Sequence, residues 1–265
     1  LSYIVVCYVE DCYMIIYRNG VDLKDLPQIN KLLRVLSENA RDLSGAELHK
    51  ILSQKNFEII GARNERHAYS GDEKSLSRSP LDAMSTVHFS NAMSSCFAYI
   101  DDVVVNPEIQ SKGLGTIITK ELILTAKERG AKWVGLTSAP KRVAANIVYS
   151  RLMTIMRDVK VFILKFAAMA RKDLGIFLDY SSYVTVVDSS DVYVVNTLMG
   201  RKAFISNDVI DKYPPASVLE MIWIAFAKGA DSVEVIVNEK NLTVSDLLLE
   251  RHFVEKETNV YMIKF

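Results

Sequence analysis

The chain has 265 residues, which is enough for two domains of ordinary size that each bury a core of their own. Its 32 basic and 32 acidic residues cancel, so composition does not point to a general nucleic-acid or membrane-surface partner. The three cysteines, Cys7, Cys12 and Cys96, form no C-x-x-C pair, which favours a reducing compartment. Because no apolar run reaches the ~18 residues of a membrane span, we expect a soluble, cytoplasmic protein.

The first hundred residues carry a mixture of strand and helix patterns. In chain order, we expect strands at 13–18, 57–62 and 84–89 and helices at 22–36 and 44–54, with 1–9 an added strand or tail. Ser44 and Glu47 have the spacing of a capping box, which opens a helix. The polar segment 63–83 contains Ser-Gly and Ser-Pro breaks and is expected to be a mobile loop.

The stretch IDDVVVNPEIQSKGLG, residues 100–115, combines an apolar strand, a proline and a short glycine loop. Residues 116–128 then have apolar positions at helical spacing, so Gly113 and Gly115 lie where a strand passes into a helix. Glycine permits positive φ and a close approach of main-chain N–H groups to a ligand. The first turn of a helix has unpaired N–H groups and a positive dipole end, so this stretch predicts binding of a phosphate or pyrophosphate.

Two common phosphate-binding motifs do not fit this loop. A P-loop requires Lys-Ser or Lys-Thr after its second glycine, but Gly115 is followed by Thr116 and Ile117. A dinucleotide-binding loop favours a small residue where this chain has Ile118, and an acidic residue about twenty positions later where it has Leu136-Thr137-Ser138.

A third motif fits, because Gln110, Gly113 and Gly115 follow a strand that ends in Val-x-Pro. This arrangement resembles the coenzyme A loop of the GNAT superfamily of N-acetyltransferases. The stretch LTSAPKRVAANIVY, residues 136–149, also resembles that family, in which a strand leads into a short helix with a tyrosine near the acyl thioester. The resemblance covers roughly residues 22–166 and departs at Met153-Thr154, where the family usually has Gly-Phe.

The resemblance implies roles for individual residues. Tyr149 would donate a proton to the departing thiolate of coenzyme A, and Asp101 or Asp102 would accept a proton from the acceptor amine. Because neighbouring residues of a strand point to opposite faces, at most one of the two carboxylates is expected to face the cleft. Residues expected to contact coenzyme A are Val103, Val104, Val105, Gln110, Ser111, Lys112, Gly113, Leu114, Gly115, Thr116 and Asn146.

Structural alternatives remain open for several of these residues. Lys112 would otherwise be a solvated lysine, Asn146 an exposed helix residue, and Tyr149 a packed tyrosine. His88 is the one histidine on a strand near the site, and a structural role is favoured over that of a base. Since no pair of His, Cys or Asp residues has metal-ligand spacing, we expect no metal.

Residues 129–166 align without a gap with residues 228–265, at an offset of 99. Gly130 and Tyr149 fall on Gly229 and Leu248, while the loop glycines have no glycine counterpart. We therefore predict an α/β (α+β) fold of two acyl-CoA N-acyltransferase (GNAT)-like domains, each with a mixed sheet flanked by helices. The first would span residues 1–168, and a degenerate second copy would span 175–265.

By resemblance, we expect an N-acetyltransferase that transfers the acetyl group of acetyl-CoA directly to a primary amine of a small molecule or peptide. The strand at 100–106 also resembles that of glucosamine-phosphate acetyltransferases, which keeps amino sugars among the candidate acceptors. A homodimer is allowed for, with no nucleic-acid or membrane partner. The alternative is a catalytically idle acyl-CoA-binding or scaffolding protein, whose second copy contacts a partner.

Overall fold

The structure is a computed structural model that describes residues 4–9, 12–18, 20–64, 80–92, 95–165, 187 and 191–264. We call residues 4–165 the first half and residues 187–264 the second half. The strands are β1 (Ile4–Val9), β2 (Cys12–Arg18), β3 (Phe57–Asn64), β4 (Leu81–Ala92), β5 (Ser95–Val105), β6 (Trp133–Ser138), β7 (Thr154–Met156), β8 (Val159–Lys165), β9 (Tyr193–Thr197), β10 (Gly200–Ile205), β11 (Ser232–Asn238), β12 (Val254–Glu255) and β13 (Asn259–Lys264). The α-helices are α1 (Leu26–Leu36), α2 (Gly45–Leu52), α3 (Leu114–Glu128), α4 (Val143–Leu152), α5 (Asn207–Ile210), α6 (Ser217–Ala227) and α7 (Leu242–Glu250).

The predicted elements of the first half are present, with adjusted ends. Ser44 and Glu47 form the predicted capping box at the start of α2, each side chain accepting from the main-chain N–H of the other residue. The predicted loop at 63–83 is shorter than expected, because β3 continues to Asn64 and β4 begins at Leu81. Residues 65–79 of that loop lie outside the described residues.

The strands of the first half form a sheet with the order β1-β2-β3-β4-β5-β6-β13-β7 among the described residues. Its pairs are antiparallel except for β5 with β6, which are parallel. Alternate residues of β5 enter different cores, because successive side chains of a strand point to opposite faces. Ile100 packs with α3 and α4 on one face, while Tyr99 packs with α1 and α2 on the other.

The second half forms a sheet with the order β12-β8-β11-β10-β9, and it covers the α1 and α2 face of the first half. Val195, Leu198 and Phe204 of the β9 and β10 hairpin belong to the same buried cluster as residues of α1, α2, β4 and β5. Gln54 adds polar contacts, since its amide donates to the carbonyl of Asn196 at 2.9 Å and accepts from the Asn196 N–H at 3.0 Å. The contact between the halves is therefore both apolar and directional.

The two sheets exchange a strand. β8 belongs to the first half by sequence but pairs with β11 and β12, whereas the C-terminal strand β13 pairs with β6 and β7. The pairing of β6 with β13 is equivalent to the pairing of β11 with β8. Trp133 lies opposite Lys264 in the first pair, and Ser232 lies opposite Lys165 in the second. Corresponding residues, Trp133 with Ser232 and Lys165 with Lys264, are 99 positions apart. Each half thus obtains a central strand from the other half.

The exchange predicts which cysteine pair can be cross-linked. Ser138→Cys with Asn259→Cys should form a disulfide under mild oxidation, because these residues lie opposite each other on β6 and β13. Ser138→Cys with Lys160→Cys is the matched control, since Lys160 would take the place of Asn259 if each half kept its own strand. Peptide mapping by mass spectrometry would identify the linked pair. A bond in the control alone would show that the halves do not exchange strands.

Candidate functional site

The strands β5 and β6 part after a short parallel ladder. The ladder pairs Phe97 with Trp133, Ala98 with Val134 and Tyr99 with Gly135, and no further pair joins the described residues of these two strands. Beyond Tyr99, β5 stays paired with β4 as far as Val105, while β6 stays paired with β13 as far as Ser138. The edge of β5 that faces β6 therefore has main-chain groups without a strand partner, which is where an extended ligand with amide groups can pair.

The glycine loop lies directly after this parting of the strands. Asn106 caps the short 3₁₀ turn Pro107–Ile109, and the Gln110 amide donates to the carbonyl of Val105 at 3.0 Å, which folds the loop back onto β5. Ser111 and Gly113 both have positive φ, of 65° and 82°, and α3 begins at the next residue. Since the first N–H groups of a helix lack intrahelical acceptors, this bend presents donors to an anion.

Space is left open around the two glycines of the loop. A Cβ atom on Gly113 would meet nothing within 4 Å, and one on Gly115 would meet only Val105 Cγ2, at 3.8 Å. Lys112 and Ser111 are exposed, and Thr116 is half-buried. Leu114 is buried in the core with α3, so its main chain and not its side chain is available to a ligand. This geometry fits the predicted anion-binding role of the loop.

The three valines of the predicted ligand-binding strand are divided between the two faces of the sheet. Val103 and Val105 pack against the α3 core, whereas Val104 is buried in the cluster shared with the second half. The part of each residue that a ligand between the strands can reach is thus its main chain.

Tyr149 lies on α4, in the core next to β6 and β13. Its ring contacts that of Tyr261 edge to face, with centroids 5.5 Å apart. Burial is the main reason why the pKa of Tyr149 is raised, to about 12, and the negative charge of Asp101 adds to the effect. The phenol is therefore protonated at neutral pH and lies within electrostatic reach of the carboxylate on the other side of the parted strands.

Asn146 is held by residues of two segments. Its Nδ2 donates to the carbonyls of Ala139 at 2.9 Å and Pro140 at 3.3 Å. Its Oδ1 accepts from Tyr261 Oη at 3.0 Å and from Asn259 Nδ2 at 3.2 Å. The side chain predicted to bind coenzyme A thus joins α4 to the exchanged strand β13, and Tyr261 and Asn259 are site residues that the sequence did not indicate.

The expectation that Asp101 and Asp102 point to opposite faces is wrong, because a β-bulge interrupts the alternation. The β4 and β5 register shifts between Met84 and Thr86, and Asp102 has a φ of 52°. Asp101 accepts from Lys202 Nζ at 2.7 Å, and Asp102 accepts from the main-chain N–H of Leu198. Since both partners belong to the β9 and β10 hairpin, both carboxylates point toward the second half.

Backbone strain coincides with the site. In the described part of the chain, Asp102, Ser111 and His252 are the non-glycine residues with positive φ. Two of the three lie at opposite ends of the segment that the sequence indicated, and such conformations persist where the surroundings impose them.

A polar network crosses the parted strands on the side of the second half. Tyr99 Oη donates to Glu234 Oε1 at 3.1 Å and lies 3.0 Å from Thr137 Oγ1, so it joins β5, β6 and β11. Lys256 Nζ donates to Glu234 Oε2 at 3.0 Å. Sequence reasoning missed Lys202, Glu234 and Lys256, although Glu234 interrupts the otherwise apolar run of β11, where an unpaired charge is rarely buried.

His88 has a structural environment. Its ring is fully buried and lies against Tyr99, Tyr193 and Phe204, at centroid distances of 5.4, 5.5 and 4.8 Å. Burial lowers the pKa of His88 to about 3, so the ring is neutral at physiological pH. Although it lies near the carboxylates, its surroundings are those of an aromatic core residue.

The two carboxylates differ in their proton affinity. Burial acts to raise the pKa of Asp101, but the charge and the hydrogen bond of Lys202 outweigh it and lower that pKa. Burial and the negative charge of Asp101 together raise the pKa of Asp102 to about 7. Asp101 is thus ionised at neutral pH, and Asp102 exchanges its proton near neutral pH.

Replacing Asp102 with asparagine should stabilise the protein in a pH-dependent way. The folded protein holds the Asp102 proton up to pH of about 7, whereas the unfolded chain releases it near its ordinary value of 3.8. The cost of the buried carboxyl therefore grows as the pH rises between these values, by up to about 1.4 kcal/mol per unit, and then levels off. Asparagine avoids this cost and can still accept from Leu198 and Thr86.

Urea denaturation of wild type and Asp102→Asn at about pH 5 and about pH 8 checks this expectation. The variant should gain more over wild type at the higher pH. An equal difference at both values would mean that Asp102 titrates as an ordinary exposed carboxylate.

Two further observations concern the part of the chain that the structure describes. None of its helices is long and apolar enough to cross a membrane. In the same part of the chain, no group of three or more His, Cys, Asp or Glu side chains is placed to hold a metal ion.

Comparison with known proteins identifies the family that the chain resembles. Residues 81–153 match the profile of the Acetyltransferase (GNAT) family. The comparison with curated proteins gives no match. A provisionally assigned acetyltransferase from Pyrococcus horikoshii is 14% identical, with 98% of this chain and 91% of that chain covered and a TM-score of 0.52.

Two further solved structures are less similar, with TM-scores below 0.5. A GCN5-related glucosamine N-acetyltransferase region of a fungal multi-domain protein is 12% identical, covers 99% of this chain and 38% of that chain, and has a TM-score of 0.49. A provisionally assigned acetyltransferase from Agrobacterium tumefaciens is 20% identical, covers 51% and 89%, and has a TM-score of 0.42. The likeness to the Pyrococcus structure extends over both halves and shows the fold.

Proposed function

We propose that this chain, which has the GNAT acetyltransferase fold and matches that family over residues 81–153, is an acetyl-CoA-dependent N-acetyltransferase. Its acceptor would be a primary amine of a small molecule or peptide. The observation that carries the proposal is the parting of β5 and β6 next to a loop with two positive-φ residues at the start of α3.

The described residues fit acetyl-CoA as the cosubstrate. The unpaired edge of β5 at Val103 to Val105 suits the amide groups of the pantetheine arm, which can add to a free strand edge. The main-chain N–H groups of residues 111–116, together with exposed Lys112, suit the pyrophosphate. Acetyl-CoA supplies an acetyl thioester, and an N–H of the β5 edge would stabilise the negative charge that develops on its carbonyl oxygen.

The proposed proton transfers use one residue on each side of the parted strands. A carboxylate of the Asp101 and Asp102 pair takes a proton from the acceptor ammonium, so that the neutral nitrogen forms a bond to the acetyl carbon. The carbon–sulfur bond breaks, and the Tyr149 hydroxyl gives its proton to the sulfur. The second proton that the nitrogen loses then restores the Tyr149 phenol through water, which leaves a neutral amide and the free thiol. Tyr149 suits the role because its phenol is protonated at neutral pH and lies within electrostatic reach of Asp101.

We further propose that the chain is a tandem of two GNAT-like domains and that its second copy is degenerate. The proposal is supported by the offset of 99 residues that relates β6 to β11, α4 to α7 and β8 to β13. Gly130 and Gly229, which are also 99 apart, have φ values of 77° and 76°. At the position of Tyr149 the second copy has Leu248, which is fully buried in its core. We retain the expectations of a cytoplasmic location and of no nucleic-acid or metal partner.

Glycine substitutions test whether the loop at Gly113 binds coenzyme A. Gly113→Ala should weaken coenzyme A binding by roughly tenfold, because the positive φ becomes strained and a methyl group enters the open space of the loop. Gly130→Ala is the matched control, since Gly130 also has positive φ and open space but lies at the other end of α3. Isothermal titration calorimetry gives both affinities. Equal affinities for the two variants would remove the loop from the binding site.

Removing one hydroxyl should separate turnover from binding. Tyr149→Phe should lower the rate of thiol release from acetyl-CoA by about a hundredfold with little change in coenzyme A affinity, because only the proton donor is lost. Tyr193→Phe is the control, since it removes a buried tyrosine hydroxyl, bonded to Asn56, away from the parted strands.

The same assay, run against a panel of amines, separates the proposed enzyme from an idle acyl-CoA-binding or scaffolding protein. The enzyme should release thiol with at least one amine. Tight binding of coenzyme A without thiol release from any amine would favour the idle protein, and unchanged turnover in Tyr149→Phe would remove that residue from the mechanism.

A further inference from the structure

The second half contributes a cation to the candidate active site. Lys202 lies on β10, and its Nζ donates to Asp101 Oδ2 at 2.7 Å. About a quarter of each of these side chains is exposed, so the pair does not lie in sealed core. We call the region where β5 and β6 face β10 and β11 the crevice. A hydrogen-bonded ion pair of this kind holds its carboxylate in the ionised form.

One carboxylate of this crevice is left outside its ion pairs. Asp101 is paired with Lys202 on β10, and Glu234 is paired with Lys256 at 3.0 Å. Asp102 is 4% exposed, and its carboxylate accepts from uncharged donors, the hydroxyl of Thr86 at 3.5 Å and the main-chain N–H of Leu198. Lys202 acts on it only through its charge, which lowers the pKa of Asp102. Among the described residues, Asp102 is therefore the carboxylate of this crevice that has no ion-pair partner of its own.

We propose that Lys202 is a positioning residue of the active site, which neutralises Asp101 and thereby leaves Asp102 as the group that binds the acceptor ammonium and accepts its proton. This inference rests on the proposed N-acetyltransferase function and assigns its base. It also gives the second half a function in the reaction, since the half that lacks the glycine loop supplies the cation. An amine with a single positive charge completes the charge balance of the crevice.

The other titratable groups around the pair do not take over this role. His88 on β4 is neutral, because burial lowers its pKa to about 3. Tyr99 on β5 and Tyr149 on α4 are protonated, since burial raises the pKa of both phenols. The charge of Glu234 on β11 raises the pKa of Lys202, as the charge of Asp101 does, and Lys256 pairs with Glu234. Lys202 is thus the cation that separates the proton affinities of Asp101 and Asp102.

The two aspartates must behave differently if Lys202 is exchanged. With Lys202→Met, two negative charges would remain side by side in a poorly solvated place, so Asp102 should hold its proton to a higher pH. With Asp101→Asn, Lys202 would be left to Asp102, whose pKa should fall. The double variant Asp101→Asn with Lys202→Met removes both charges and should bring the Asp102 pKa back up toward the wild-type value.

Carbon-13 NMR of aspartate carboxyl groups in the full chain tests this without requiring activity. The Asp102 signal is assigned by its loss in Asp102→Asn. Its titration midpoint should be about 7 in wild type and about one pH unit or more higher in Lys202→Met. Lys202→Arg, which keeps the cation, should leave it near the wild-type value. If Lys202→Met does not fold, the midpoint should still be higher in the charge-neutral double variant than in Asp101→Asn. Equal midpoints in that comparison would overturn the inference.

Activity then gives a second readout. The acid limb of kcat/KM for thiol release should move to higher pH in Lys202→Met and return in Lys202→Arg, whereas a purely structural ion pair would lower the rate without moving the limb. An absence of thiol release by wild type with every amine would contradict the proposed function and the role of Asp102 as base. The NMR midpoints would still decide whether Lys202 controls the proton affinity of Asp102.

Discussion

The parting of β5 and β6 is the constraint on which the candidate site depends. Parallel strands that stay paired satisfy each other's main-chain groups, and they leave no room for a ligand. Here both strands remain held on their outer sides, by β4 and by β13, while their facing edges separate after Tyr99. The polypeptide can therefore offer an unpaired strand edge without losing the sheet. The loop at Gly113 and the start of α3 follow directly from this edge, and Tyr149 lies beside it.

Residues of the second half hold two parts of the candidate site in place. Strand β13 keeps β6 in place, and its Tyr261 joins the helix that carries Tyr149 through Asn146. The β9 and β10 hairpin covers the other face and brings Lys202 to Asp101. Because each half supplies a strand to the sheet of the other, the candidate site is built from residues of both halves. In the proposed tandem, the second copy has no counterpart of the glycine loop, but its β9 and β10 hairpin lies against the face of β5 that carries Asp101.

Local features of the sequence were sufficient to predict the glycine loop, α3 and the capping box of α2, because turns, caps and apolar periodicity act between near neighbours. The helix α4 was expected only from the family resemblance. Elements of the two halves also lie at the 99-residue offset, as β6 and β11 do; that the halves are two copies of one domain stays a prediction. What could not be predicted depends on distant contacts. The bulge at Asp102 changes the face of one residue and reverses the expected alternation, and it needs the pairing with β4. The exchange of β8 and β13 preserves the local patterns of both strands, so the sequence is equally consistent with either arrangement. Lys202 and Glu234 contact the candidate site only because the second sheet packs against β5, which local sequence patterns do not show.

The central claim is that the parted strands hold the acyl-thioester carrier, and a crystal structure of the full chain with acetyl-CoA tests it most directly. We expect pantetheine amides hydrogen-bonded to the edge of β5 between Val103 and Val105, with the pyrophosphate on the main chain of residues 111–116. The sulfur should lie near the Tyr149 hydroxyl. A carrier bound to the second half, or β5 and β6 found joined by a continuous ladder, would contradict the account.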